Sequence, residues 1–143
     1  MTKDVEAWPL ELSSFNSVRK FADSVESEGF PIDALIANAA VGAPSYAKTE
    51  DGWETAFVLR LHLVQLFRPD SLSSFRLQVN YLSTVLLSIL MLPHLIKSAT
   101  PTNASRLVIV SSSVHFGAKL EGAANWPSIL GTLNDEEYCK TTL

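Results

Sequence analysis

Apolar residues follow two kinds of pattern along the chain. Phe15, Val18, Phe21, Ala22 and Val25 recur three and four positions apart, which is the period of an amphipathic helix. Ser13 and Ser14 stand before this run as N-cap candidates, and Gly29 followed by Pro31 marks its end. Two other stretches, Ile32–Ala37 and Arg106–Val110, are short, apolar and without alternation, as strands buried on both faces are. Ala7–Leu12 is a third apolar run, predicted as an edge or irregular strand because it contains Pro9. Thr49–Thr55 reads as a helix start with Glu50 and Asp51 in its first turn. Leu77–Ile96 carries no formal charge and predicts a long helix ending near Lys97 and Pro101. Beyond His115 the chain is loop-rich, and Asn134–Tyr138 reads as a loop ahead of a helix. Solid apolar strands alternating with helices predict an α/β fold with a parallel sheet.

Composition narrows the function. The 143 residues include 11 basic and 15 acidic side chains, a net charge of −4, with no basic run, so a nucleic-acid partner is not expected. A hydrophobic share of 47% excludes global disorder. Cys139 is the single cysteine and cannot form an internal disulfide; with His62, His94 and His115 scattered, no metal site is expected. The first residues, Met1 to Glu6, hold acids and no apolar run, which is not a signal peptide; the expected compartment is cytoplasmic. Leu77–Ile96 is long enough to cross a bilayer. It contains Gln78, Asn80, Ser83, Thr84, Ser88, Pro93 and His94, whose polar groups a protein core can satisfy and lipid cannot. A core helix is therefore expected, rather than a membrane span.

Four segments, in order, resemble the short-chain dehydrogenase/reductase family. They are Leu10-Glu-Leu-Ser-Ser before a helix, Asp33-Ala-Leu-Ile-Ala-Asn-Ala-Ala, Leu77-Gln-Val-Asn80 at the start of the long helix, and Arg106-Leu-Val-Ile-Val-Ser-Ser112. Each motif is common by itself; the set covers about residues 5–55 and 77–120. Asp51-Gly-Trp-Glu and the Ser-Ser-x-x-His form are most similar to retinol-dehydrogenase-like and fungal-type members. The resemblance implies the middle portion of a Rossmann-like doubly wound parallel sheet. It also implies NAD(P)-dependent interconversion of an alcohol and a carbonyl on a small lipophilic or specialised metabolite.

By that resemblance, Ser112 matches the serine that holds the substrate oxygen, with Ser111 or Ser113 as alternatives if the register slips. Asn80 matches the helix asparagine that orients a water and a lysine; a helical asparagine bonded to backbone is the other reading. Asn38, Ala39 and Ala40 match the last three residues of Asn-Asn-Ala-Gly, whose backbone borders the adenosine. Glu11 and Leu12 stand beside the adenine, where Asp is usual at position 11; Glu11 either accepts from the adenine amino group or is a solvated acid. The family's catalytic tyrosine needs its pKa of about 10 lowered by a lysine four residues on, which shares its helix face. Tyr138 lies 26 residues after Ser112, but position 142 is Thr and Lys140 is about 200° away round a helix. Tyr138 is thus either a broken catalytic tyrosine or precedes the true motif, the second being favoured. The resemblance favours NADP slightly over NAD as cofactor, and a small-molecule substrate. It allows a homo-oligomer through the helix starting near Leu77.

Three departures bear on activity. The phosphate-binding Gly-x-x-x-Gly-x-Gly is absent, since no two of the six glycines lie closer than five positions. Residues 56–76 are extra: reading Thr55 directly into Leu77 restores Asp-Gly-Trp-Glu-Thr-Leu-Gln-Val-Asn, so this stretch is expected to be an insertion or a retained intron. A full doubly wound sheet needs roughly 200 residues, at about 30 or more per β–α–β unit. The chain is accordingly read as one incomplete nucleotide-binding domain, inactive alone. The alternative function is that of a non-catalytic fragment that associates with a full-length relative.

Overall fold

The computed structural model describes residues 5–41, 46–54, 57–58, 74–75, 77–113 and 122–141. Helix α1 spans Phe15–Glu28. Ser14 is its N-cap and accepts from the Ser17 amide, while Gly29, at φ +67°, closes it with its amide on the Val25 carbonyl. A left-handed cap of this kind favours glycine, which has no Cβ to clash. Val18, Ala22 and Val25 form its buried face, as the periodicity predicts.

Strand β1 (Ala34–Ala37) lies parallel to strand β4 (Arg106–Ile109), pairing Leu35 with Leu107 and Ile36 with Val108. Between them, in sequence, come β2 (Phe57–Val58) and β3 (Ser74–Phe75), an antiparallel pair. They lie near the two ends of the extra stretch 56–76; residues 59–73 lie outside the described residues. Helix α2 (Ser83–Ser98) follows a five-residue π-turn, Gln78–Leu82, and carries the chain from one parallel strand back to the other. A 3-10 turn (Ala123–Asn125), α3 (Ile129–Leu133) and α4 (Glu136–Thr141) complete the described chain.

Helix α2 packs on α1, β1 and β4. The core is the seam between α1 and α2: Leu12, Val18, Ala22, Val25, Val79, Leu87 and Met91, with Leu35 and Leu90 packed against it. Polar residues on the buried face of α2 bond to backbone carbonyls, two within the helix and one across to the entry of α1. Ser88 donates to the Thr84 carbonyl at 2.7 Å, and Thr84 to the Val79 carbonyl at 3.1 Å, five residues back across the π-turn. Ser83 donates to the Leu12 carbonyl at 2.5 Å. Among the described residues one helix, Gln78–Ser98, is long and apolar enough to cross a membrane by length and composition. Its outer side is a second apolar row: Tyr81, Val85, Ile89, Leu92 and Ile96.

Three expectations are corrected. Ala7–Leu12 is not a strand; residues 5–11 are irregular, because the sheet in which β1 lies offers them no ladder. Within the predicted helix start Thr49–Thr55, the described residues 49–54 form no helix. The Gly52 amide bonds the Thr49 carbonyl and the Thr49 amide bonds the Trp53 carbonyl, a tight reversal made feasible by Gly52 at φ +79°. Residues 136–138 belong to α4 and not to a loop, since Asp135 caps that helix by accepting from the Tyr138 amide at 2.8 Å.

Two substitutions on α2 separate its faces. Met91, 2% exposed, fills the α1–α2 seam. Met91→Ala is expected to lower unfolding free energy by about 2–4 kcal/mol. Ile89→Ala, at a residue 58% exposed, is expected to change it by less than about 0.5 kcal/mol. Urea titration followed by far-ultraviolet circular dichroism checks both.

Candidate functional site

The carboxyl ends of β1 and β4 are tied side by side, the Val110 amide bonding the Ala37 carbonyl at 2.9 Å. The chain leaves β1 through Asn38, Ala39 and Ala40, all exposed, and leaves β4 through Val110 towards Ser112, also exposed. In open parallel sheets this is the edge where ligands bind, because the loops diverge there and leave a crevice.

Asn80 joins the same edge from the π-turn. Its Oδ1 accepts from the Val41 amide at 2.9 Å and its Nδ2 donates to the Val41 carbonyl at 3.0 Å. The side-chain amide thus grips the loop that continues from Asn38–Ala40 at both of Val41's backbone groups. The arrangement brings Asn38, Ala39, Ala40 and Asn80 together, with Ser112 leaving the neighbouring strand end.

Glu11 and Leu12 are placed differently from one another. Glu11 is exposed, and its Oε1 accepts from the Ser13 amide at 2.8 Å, bracing the turn before α1. Leu12 is a core residue, 8% exposed, and its carbonyl takes the Ser83 hydroxyl. Its side chain is committed to the α1–α2 seam. Tyr138, on α4, is half-buried and sits edge-to-face against Trp126, with ring centres 5.2 Å apart.

Three residues to which the sequence reading assigned no site role hold this framework. Gln78 is fully buried. Its Nε2 donates to Asp51 Oδ2 at 2.7 Å, its Oε1 accepts from the Thr49 hydroxyl, and its amide bonds the Glu54 carbonyl at 3.3 Å. Asp51 Oδ2 also accepts from the Phe15 amide at 2.7 Å, satisfying an open donor in the first turn of α1. Asn134 clamps the 46–54 segment: its Oδ1 accepts from the Glu54 amide at 2.5 Å, its Nδ2 donates to the Gly52 carbonyl at 3.2 Å, and its own carbonyl accepts from Tyr46 at 3.2 Å. The available signal was the Asp51-Gly52 pair, a turn former; nothing in the sequence marks its distant partners.

A dinucleotide fits these residues only in part. The exposed edge of small residues, Ala39 and Ala40, is open to an adenosine. Its pyrophosphate needs a glycine cradle between a strand and a helix N-terminus. The described glycines with left-handed φ are Gly29, Gly52 and Gly122; they end α1, close the turn at Thr49–Trp53 and precede the 3-10 turn. None occupies such a cradle.

Fold and edge together define a partial Rossmann-like α/β unit. No protein-family model matches the chain. It is 35% identical over 116 residues to the polyprenol dehydrogenase of Danio rerio, covering 81% of this chain and 30% of that protein. It is 34% identical over 134 residues to a short-chain dehydrogenase/reductase of Phaeosphaeria nodorum, covering 93% of this chain and 34% of that one. An Aspergillus flavipes short-chain dehydrogenase/reductase is 33% identical over 137 residues, with 93% and 34% covered. The chain belongs to the short-chain dehydrogenase/reductase family, whose members generally use NAD(P), and it spans about a third of the length of these relatives.

Two measurements test the local chemistry. Asn80→Ala removes both bonds to Val41 and is expected to speed deuterium exchange of the Val41 amide about tenfold or more, corresponding to roughly 1.4 kcal/mol of local opening. Asn80→Asp keeps only the acceptor and should fall between the wild type and Asn80→Ala. Cys139 is almost fully buried, 1% exposed. Burial above all, and then the carboxylates of Glu54, Asp135 and Glu136, pushes its thiol up to about 11. The thiol form is favoured in the folded state, so its contribution is full below the unfolded pKa of about 8.5. That stability is lost as pH rises from there through about 11. The folded chain should therefore resist alkylation at pH 8, and Cys139→Ala should flatten the alkaline loss of stability seen in pH-dependent urea titrations.

Proposed function

We propose that the chain is the central part of an NAD(P)-dependent oxidoreductase interconverting an alcohol and a carbonyl on a small lipophilic or specialised metabolite. The supporting observation is the shared edge of β1 and β4, which delivers Asn38–Ala40 and Ser112 from adjacent strand ends. The names of the relatives, polyprenol dehydrogenase among them, agree with this substrate class.

In this reading Asn38, Ala39 and Ala40 border the adenosine, and Asn80 keeps their loop in place through Val41. A nicotinamide held there would supply hydride-transfer chemistry to the substrate carbon. Ser112 donates its Oγ proton in a hydrogen bond to the substrate oxygen, where charge develops during the transfer. The proton itself requires a general acid. Tyr138 is the tyrosine in this chain nearest the expected position, but Thr142 stands where a lysine would lower its pKa. With neither that lysine nor a phosphate cradle, the chain as it stands carries no turnover.

A homo-oligomer belongs to the same proposal. The outer row of α2, from Tyr81 to Ile96, is uncharged, exposed and spaced four, four, three and four apart, a seam suited to a second helix.

Titration with NADPH, NADP, NADH and NAD, read by deuterium exchange and nicotinamide fluorescence, tests the assignment. Weak binding is expected, with slowed exchange confined to residues 38–41 and no consumption of a carbonyl substrate. Unchanged exchange at 38–41 with every nucleotide at millimolar concentration would sink the nucleotide assignment. Turnover by the isolated chain would overturn the claim that it is inactive alone.

A further inference from the structure

Two polar clusters meet on one helical turn. Gln78 and Asn80 lie two residues apart in the π-turn, so their side chains leave the helix in different directions. Gln78, fully buried, is held by Asp51 and by the Thr49 hydroxyl. Asn80, half-buried, holds both backbone groups of Val41. The wide winding of the turn lets both contacts form together: the Ser83 amide reaches back five residues, to the Gln78 carbonyl. Leu87, Met91 and Leu95 fix the core side of α2. Against that fixed side, tightening the turn to the ordinary repeat would swing Gln78 and Asn80 off their partners at once. The turn therefore has two windings, and the bonds at both clusters select the wider one.

The cluster around Gln78 is anchored from a distance. Asn134, the C-cap of α3, takes the Glu54 amide on Oδ1 at 2.5 Å and donates from Nδ2 to the Gly52 carbonyl at 3.2 Å. Its own carbonyl takes the Tyr46 hydroxyl at 3.2 Å. One residue thereby fixes both ends of the 46–54 stretch, whose middle carries Thr49 and Asp51 to Gln78. Glu54 makes the link direct: its amide bonds Asn134 and its carbonyl accepts from the Gln78 amide at 3.3 Å.

We infer that the π-turn is a two-state element through which Asn134 controls the loop leaving β1. With Asn134 seated on the 46–54 reversal, Gln78 is held, the turn stays wide and Asn80 reaches Val41. With Asn134 withdrawn, the reversal loosens, the turn tightens and Asn80 leaves Val41, so the exposed stretch Asn38–Ala40 loses its anchor at the far end. Asn134 is in this sense a positioning residue that acts through Gln78 and Asn80. The coupling is reciprocal: whatever orders the loop up to Val41 also seats the α3–α4 junction more firmly. It does not depend on which ligand the loop takes.

Amide deuterium exchange of the full chain, without nucleotide, reads both ends. Asn134→Ala should speed exchange at Val41 at least threefold while the Val18 and Ala22 amides of α1 stay protected. Asn80→Ala should speed exchange at the Glu54 amide by a comparable factor. The double variant separates a relay from general loosening: once Asn80 is gone, Asn134→Ala should change Val41 exchange by less than twofold. Tyr46→Phe, which removes one hydroxyl and no bulk, should speed Val41 exchange about twofold, and it decides the matter if Asn134→Ala costs α1 its protection. Three results overturn the inference. They are Val41 exchange unmoved by Asn134→Ala, or by Tyr46→Phe where the first variant unfolds; Glu54 exchange unmoved by Asn80→Ala; and effects of Asn80→Ala and Asn134→Ala that multiply at Val41. No nucleotide enters these measurements, so their failure is distinct from failure of the cofactor titration.

Discussion

One buried amide holds the framework in register. Gln78 sits where water cannot reach it, so each of its polar groups must find a protein partner or carry an uncompensated desolvation cost of about 1–3 kcal/mol. It finds them in Thr49 and Asp51, and Asp51 in turn accepts from the first turn of α1. Three segments distant in sequence thereby converge on one side chain: the entry to α1, the reversal at Thr49–Trp53, and the start of the long helix. The apolar seam between α1 and α2 is non-directional and would tolerate a shift of either helix. The polar cluster is directional and sets where along one another they sit.

Elements whose cause is local were legible in the sequence. Helix α1 carries its own period, its Ser14 cap and its Gly29 stop within sixteen residues, and all three appear as predicted. Strands β1 and β4 announce themselves by unalternating apolar runs. Ala7–Leu12 has a similar composition yet forms no strand, because a strand requires a neighbour and composition says nothing about whether one is present. Thr49–Thr55 misleads for a related reason: acids followed by an aromatic residue suit a helix start, but Gly52 and the distant bonds of Asp51 favour a reversal. The π-turn has no sequence signature at all, arising where Gln78 and Asn80 must face different partners.

The candidate site divides along the same line. Asn38–Ala40 and Ser112 could be placed from sequence because strand ends project their following residues to one edge. For Asn80 the backbone-bonded reading describes what the side chain does, but its partner was not legible, since Val41 lies on a loop 39 positions away. Leu12 shows the limit of a motif carried by neighbours: it lies in the matched segment next to Glu11, but burial against α2 claims its side chain. Asn134 escaped notice because its importance lies in two backbone groups of a turn eighty residues earlier.

The π-turn at Gln78–Leu82 has a bearing on how this stretch tolerates length change. A π-turn is an α-helix holding one residue more than the regular turn requires. Loss of a single residue there can be absorbed by tightening to the ordinary helical repeat, leaving Leu87, Met91 and Leu95 at the same angles on the core side. The same loss between Thr84 and Leu95 has no slack to consume and would rotate everything beyond it by about 100°. The start of the long helix is thus a phase buffer, the place in this chain where insertions and deletions are least visible to the core.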